Sequence, residues 1–150
     1  MFIRKFNLSD LERVIAIEKE VFTDPYPSGI LEELYNFGAG FLVVEKKELV
    51  VGFIVFWIKN DCEGHIISLA VDSKYQHEGV GSLLVTTSLN VLKSLNLKSI
   101  QLEVRKSNII ARQFYKKHDF VEDEYLINYY DDGEVGILMK YNKLNHYKCY

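Results

Sequence analysis

The stretch HIISLAVDSKYQHEGVGSLL, residues 65–84, decides how this chain folds. His65–Val71 is mostly β-branched and other apolar residues and reads as a strand. From Gly79 onward the spacing predicts a long helix, with Leu83, Leu84, Val91, Leu92 and Leu95 as its buried stripe. Between the two lies Gln76-His77-Glu78-Gly79-Val80-Gly81. Glycines there let the backbone turn tightly and come close to a ligand. The amides of a first helical turn, aided by the helix dipole, attract an anion. The order strand, glycine turn, helix thus predicts a seat for a phosphate or diphosphate, the plainer alternative being glycines that merely permit a turn. A P-loop would need Gly-Lys-Ser/Thr, where this segment has Gly81-Ser82-Leu83. A dinucleotide fingerprint would need a glycine or alanine at Leu84 and a surrounding βαβ unit.

Outward from this stretch, the flanking strands argue against βαβ. FLVVEK (41–46) and LVVGFIVFWI (49–58) precede HIISLAV with short polar links, so the three form an antiparallel meander. Further upstream, Met1–Phe6 reads as a strand, and Ser9-Asp10-Leu11-Glu12 as a capping box. A helix follows with Leu11, Val14, Ile15, Val21 and Phe22 near one face, until TDPYPS (23–28) stops it at its prolines. A second short helix is expected over 28–37. Downstream, IQLEV (100–104) is a strand, and Asn108 caps a helix reaching Lys117, with Ile110, Phe114 and Tyr115 on one side. Strands over 120–130 and 135–141 flank Asp131-Asp132-Gly133, a hairpin signal, and residues 143–150 read as a frayed tail. The expected fold is α+β: a mixed, mostly antiparallel sheet of about seven strands with about four helices on both faces, in one domain over 1–150.

Composition removes several classes. With 48% hydrophobic and 26% charged residues the chain has enough apolar surface for a packed core, which excludes a disordered chain. A net charge of −3 and the lack of a basic block argue against nucleic acid and suit a cationic amine. Cys62 and Cys149 lack metal-type spacing and are expected as reduced thiols, with no metal site. No apolar run nears the roughly 20 residues that span a bilayer, and MFIRKFNLSD has no secretory core, so a soluble cytoplasmic protein is expected.

The pattern Gln-x-x-Gly-x-Gly, after a strand ending LAV and opening a long helix, resembles the acetyl-CoA-binding motif of the GCN5-related N-acetyltransferases. LEVRKSNIIARQFYKKHDF (102–120) is similar to that family's next segment: strand, asparagine, helix, tyrosine, aromatic turn. The two motifs stand in the family's order and spacing, and the likeness spans about Met1 to Asn142. GHIISLAV (64–71), LEVRKSN (102–108), YYDDGEVGILM (129–139) and the TDPYP loop resemble one branch. That branch holds the protein N-terminal acetyltransferases, of the NatA catalytic type and the ribosomal-protein-alanine type. Two positions depart from the pattern: His77-Glu78 stand where the family often has Arg or Lys, and Asp119 stands for a glycine. Glu78 would oppose a phosphate charge, and Asp119 tolerates a left-handed backbone less easily.

The resemblance implies acetyl-CoA as cofactor and amine attack on its thioester. It assigns the cofactor seat to Gln76, His77, Glu78, Gly79, Val80, Gly81 and Ser82. It assigns the cofactor arm to the backbone of Leu69, Ala70 and Val71 and to Asn108. An α-amino group titrates near 8 against 10.4 for lysine, so its proton needs modest help. Glu103 is the leading base, because strand alternation among apolar neighbours can aim a carboxylate into a cleft. His65 is the second candidate and Asp24, acting through water, the third. Tyr115, seven residues and two helical turns beyond Asn108, is the candidate proton donor to the leaving thiolate. Phe22, Asp24, Pro25 and Tyr26, with Tyr129 and Tyr130, are candidates for binding the peptide substrate. The implied acceptor is the N-terminus of a protein or peptide, with a ribosome or an auxiliary subunit as a further partner. The alternatives are the same chemistry on a small amine or a lysine side chain, and a non-catalytic module that binds acyl-CoA or a partner.

Overall fold

Seven strands hydrogen-bond in the order β1-β2-β3-β4-β5-β7-β6 in a computed structural model that describes residues 1–27 and 29–144. They are β1 (Phe2–Lys5), β2 (Gly40–Lys46), β3 (Leu49–Lys59), β4 (Glu63–Val71), β5 (Ser99–Arg105), β6 (Phe120–Leu126) and β7 (Gly136–Tyr141). The helices are α1 (Leu11–Val21), α2 (Ile30–Asn36), α3 (Val80–Lys93) and α4 (Ile109–Lys117). β1–β2, β2–β3, β5–β7 and β6–β7 pair antiparallel and β4–β5 pairs parallel, so the expected mixed, mostly antiparallel α+β fold is the observed one. Contacts divide the chain into two compact units, Met1–Trp57 with Ile66–Leu89, and Ile58–His65 with Asn90–Tyr150.

In the first unit, Val14 and Ile17 of α1 and Leu31 of α2 bury against Phe41, Val43, Phe53 and Val55 of β2 and β3. Phe6 closes this core, its ring stacked on Phe41 with centroids 4.0 Å apart. β3 is buried continuously from Val50 to Phe56, which is why it reads as an unbroken apolar run. The expected Ser9–Glu12 box is displaced: the Asp10 carboxylate accepts the Asn7 N–H at 2.8 Å instead. Arg4 grips both oxygens of Asp10 at 2.8 and 2.9 Å, and that bidentate pair fixes which acid does the capping.

In the second unit, β5 pairs with β7 and β7 with β6, and α4 packs on β6. Ile100, Leu102, Ile137, Met139 and Phe120 are fully buried, with Tyr115 and Tyr141 edge-on to Phe120. β6 ends at Leu126, short of the expected 130. Asn128 turns left-handed (φ 54°), so the expected hairpin forms with a longer connection over 127–135, in which the Gly133 N–H closes on the Tyr130 carbonyl.

Two side-chain expectations on α3 fail. Val91 and Leu95 are exposed, because the buried stripe runs through Val80, Leu84, Val85, Ser88, Leu89 and Leu92. Asp119 adopts the left-handed backbone (φ 68°) that the family's glycine would, and Lys143 pairs with it at 3.2 Å. Cys62 is disulfide-bonded rather than reduced, and its partner lies outside the described residues. A disulfide depends on two sulfurs meeting in space, which spacing along the chain does not report. The rest of the expected tail, 145–150, also lies outside the described residues. Among the described residues, no helix is long and apolar enough to cross a membrane.

Candidate active site

The glycine turn belongs to the first unit and is made by backbone conformation. Asp72, buried at the end of β4, accepts the Lys74 N–H at 2.9 Å and pairs with Arg13. It thereby starts the short 3-10 turn over Ser73–Tyr75. Gln76 then folds back, its Nε2 donating to the Val71 carbonyl at 3.1 Å. His77 (φ 65°) and Gly79 (φ 86°) both take left-handed backbone, and the Leu83 N–H donates to the Gly79 carbonyl at 3.0 Å. That is the first helical bond of α3, so the amides of Val80 and Gly81 precede the helix's own ladder. A Cβ placed on Gly79 would meet nothing within 4 Å, so the space above the turn is open. Open space over the amides of a helix start suits a diphosphate, and the residues present fit the nucleotide end of acetyl-CoA. Glu78 does not stand as a bare opposing charge: Lys46 Nζ sits 2.6 Å from its Oε1 and also 5.6 Å from the Tyr75 ring. Lys46 is a residue of this neighbourhood that sequence reasoning missed.

On β4, Leu69 and Val71 stand on the half-exposed face and Ala70 on the buried one. Phe22 packs against the core of the first unit, while Asp24, Pro25 and Tyr26 are exposed. The Tyr26 hydroxyl donates to the Ile67 carbonyl at 3.3 Å, tying the loop to β4. Below this loop lies a second residue that sequence reasoning missed. Glu18 of α1 is 2% exposed, accepts the Tyr26 N–H, and leaves Oε2 without a partner among the described residues. Burial pushes its carboxyl up to about 7, against the smaller opposite pull of the Tyr26 amide. The signal was present: Val14, Ile17, Glu18 and Val21 fall at the spacing of one helical face.

The second unit holds His65, Glu103, Tyr115 and Tyr129. β4 and β5 pair in parallel at Glu63, Gly64 and His65 with Ser99, Ile100 and Gln101. His65 and Glu103 both stand on half-exposed positions of their strands. Their side chains meet, His65 Nε2 lying 2.6 Å from Glu103 Oε2. The two leading base candidates are thus one hydrogen-bonded pair. Tyr129 belongs with them: partial burial, then the charge of Glu103, raises its hydroxyl above the ordinary tyrosine value. Its ring lies on Gly136, where any Cβ would come within 2.9 Å, and edge-on to Tyr130 at 5.0 Å. Tyr115 is buried among Phe114 and Phe120, and burial alone raises its hydroxyl, so it stays protonated. Asn108 caps α4, its Oδ1 accepting the Ala111 N–H at 3.1 Å.

The chain is similar to known proteins in family profile, in sequence and in structure. The profile of the acetyltransferase (GNAT) family matches residues 11–120. An N-alpha-acetyltransferase of Sulfolobus acidocaldarius is 34% identical over 91% of this chain and 89% of its own length. A putative [ribosomal protein bS18]-alanine N-acetyltransferase of Bacillus subtilis is 31% identical over 91% of this chain and 92% of its own. Among solved structures, the crystal structure of Ard1 from Thermoplasma volcanium superposes with a TM-score of 0.87 at 35% identity, covering 93% of this chain and 95% of that one.

Proposed function

The chain belongs to the GNAT family of acetyltransferases, and from that premise we propose that it moves the acetyl group of acetyl-CoA onto the α-amino group of protein or peptide N-termini. The observation that carries the proposal is the His65–Glu103 pair at 2.6 Å with Tyr129 beside it. Relatives named for N-alpha and for ribosomal-protein-alanine acetylation support the same acceptor.

Acetyl-CoA, when bound, supplies an activated acetyl group as a thioester and carries a diphosphate. The amides of Gly79–Ser82 would hold that diphosphate, with Lys46 cancelling the charge of Glu78. Within the first unit, the backbone of Leu69–Val71 would hold the arm. The His65–Glu103 pair takes the proton an α-ammonium must lose, the carboxylate fixing the imidazole's orientation. An α-amine titrates near 8, so removing its proton at neutral pH needs only modest help. Tyr115, kept protonated by burial, would be the hydroxyl donor to the cofactor's sulfur. In the second unit, Tyr129 and Tyr130 would offer rings and hydroxyls to the peptide; in the first unit, Asp24 and Tyr26 share one exposed loop that would serve as a peptide contact of its own. On this reading the chain works in the cytoplasm on newly made chains, at the ribosome or with an auxiliary subunit.

The test is a panel of peptides differing only in their first two residues, incubated with acetyl-CoA and read by CoA release. Turnover on free N-termini, abolished by blocking the α-amine, is the expected result. Strong turnover of spermidine or of lysine side chains with none on N-termini would move the acceptor to those amines. No CoA release with any amine would leave only a binding module.

A further inference from the structure

Glu103 and Arg105 stand two residues apart on the same half-exposed face of β5. Glu103 meets His65, whereas Arg105 is turned to the segment joining β6 and β7. Its Nη1 donates to Asp132 Oδ2 at 2.9 Å and to Glu134 Oε1 at 2.9 Å. Its guanidinium carbon lies 4.1 Å from the centre of the Tyr130 ring. The other oxygen of Glu134 accepts the Ser107 N–H at 2.9 Å, and the Lys106 N–H donates to the Val135 carbonyl at 3.0 Å. Asp132 in turn accepts the Glu134 N–H at 3.0 Å, and the Gly133 N–H closes on the Tyr130 carbonyl at 2.8 Å. Hydrogen bonds from Ser107 and then Arg105 hold the Glu134 carboxyl down near about 2, so the cluster stays ionised at any working pH. Tyr130 contacts Tyr129, and Tyr129 lies on the Gly136 backbone beside the charge of Glu103. One guanidinium, donating through Nη1 and stacking through its flat face, therefore anchors the segment that carries both tyrosines.

We propose that Arg105 is a positioning residue for the acceptor: by ion pairs to Asp132 and Glu134 and by stacking on Tyr130 it clamps residues 127–135 and holds Tyr129 beside Glu103 to receive the peptide backbone. The acceptor's identity rests on the peptide reading above; the clamp itself does not. Nothing in the proton transfer passes through Arg105.

Arg105→Lys keeps the charge and removes the flat guanidinium face that stacks on Tyr130. Amide hydrogen exchange across residues 127–135 should quicken at least about tenfold, with exchange in β2 and β3 unchanged. The KM for a peptide acceptor should rise about tenfold, with kcat and the KM for acetyl-CoA within about twofold of the parent. Glu134→Gln, a milder change that leaves Arg105 in place, should give the same pattern. The double variant should be no worse than the more affected single one, since both remove one clamp. Unchanged exchange in both single variants overturns the proposal. Parallel loss of thermal stability, kcat and both KM values in both variants also overturns it, because that is what a merely structural arginine does. If the parent turned over some other amine and no peptide, the peptide reading would fail, and the exchange measurement would still decide the clamp.

Discussion

The turn at Gln76–Ser82 and the cluster around Glu103 are built from opposite materials. In the turn, the side chains of Gln76, His77 and Glu78 are exposed, and what matters is left-handed backbone at His77 and Gly79 and the amides that follow. Around Glu103, the working parts are side-chain atoms held at fixed distances: His65 Nε2, the Tyr129 ring, and the Arg105 contacts two residues on. The difference has a physical cause. A diphosphate spreads its charge over several oxygens and is met well by many weak amide donors. A proton moves between two atoms, and an ångström of misplacement is costly. Substitutions should therefore be tolerated in the turn unless they alter φ or fill the open space, and be punished singly in the cluster.

The largest effect is expected at Tyr115, the proposed proton donor. Tyr115→Phe keeps the ring and its packing and should lower kcat roughly 10²- to 10⁴-fold with acetyl-CoA affinity retained. Unchanged turnover would take Tyr115 out of the chemistry.

Glu18 tests whether the first unit really works through backbone alone, since it places a buried carboxyl under the Tyr26 loop. Its folded value, about 7, lies above its ordinary 4.5, so the folded chain holds an extra proton between those limits. That contribution is complete below about pH 4.5 and is lost as pH rises through about 7, worth about 2–3 kcal/mol. Glu18→Gln cannot ionise, so its unfolding free energy relative to the parent should climb across that window, as denaturant titrations at pH 5 and pH 8 would show. An equal difference at both pH values would mean that the carboxyl is not raised.

Within the turn, Gly79→Trp both forbids the left-handed backbone and fills the open space. It should weaken acetyl-CoA binding at least about tenfold by calorimetry, the 1.4 kcal/mol scale of one lost anion contact. Normal affinity would place the phosphates elsewhere. The smallest effect is expected at His77→Asn, which keeps a residue at ease in left-handed backbone and should leave affinity within about twofold. A larger loss would show that the imidazole itself binds, and would blur the contrast between the two regions.

Read from residues alone, the glycine turn was the clearest part of the chain, because strand, glycines and helix are contiguous and each signal is local. Asn108 as a helix cap and the meander through β2, β3 and β4 were legible for the same reason. Glu103, His65 and Tyr115 are each legible as candidates in the sequence, yet nothing in their spacing says that His65 and Glu103 touch. Thirty-eight residues separate that pair, and only the parallel register of β4 on β5 brings it together. Lys46 beside Glu78 and Arg105 beside Glu134 were invisible for the same reason. Glu18 was visible in principle, as an acid on an apolar helical face, but periodicity cannot say whether such an acid tilts out to water or stays buried.

The sequence by itself determined the order of elements, the family likeness and the backbone seat, since helix starts, turns and strands depend on neighbours a few residues away. The tertiary structure decided which charges are neutralised, which carboxyl is raised and which side chains share a proton. Those properties depend on distance through space and on exclusion of water, and strand pairing and burial set both after the chain has folded.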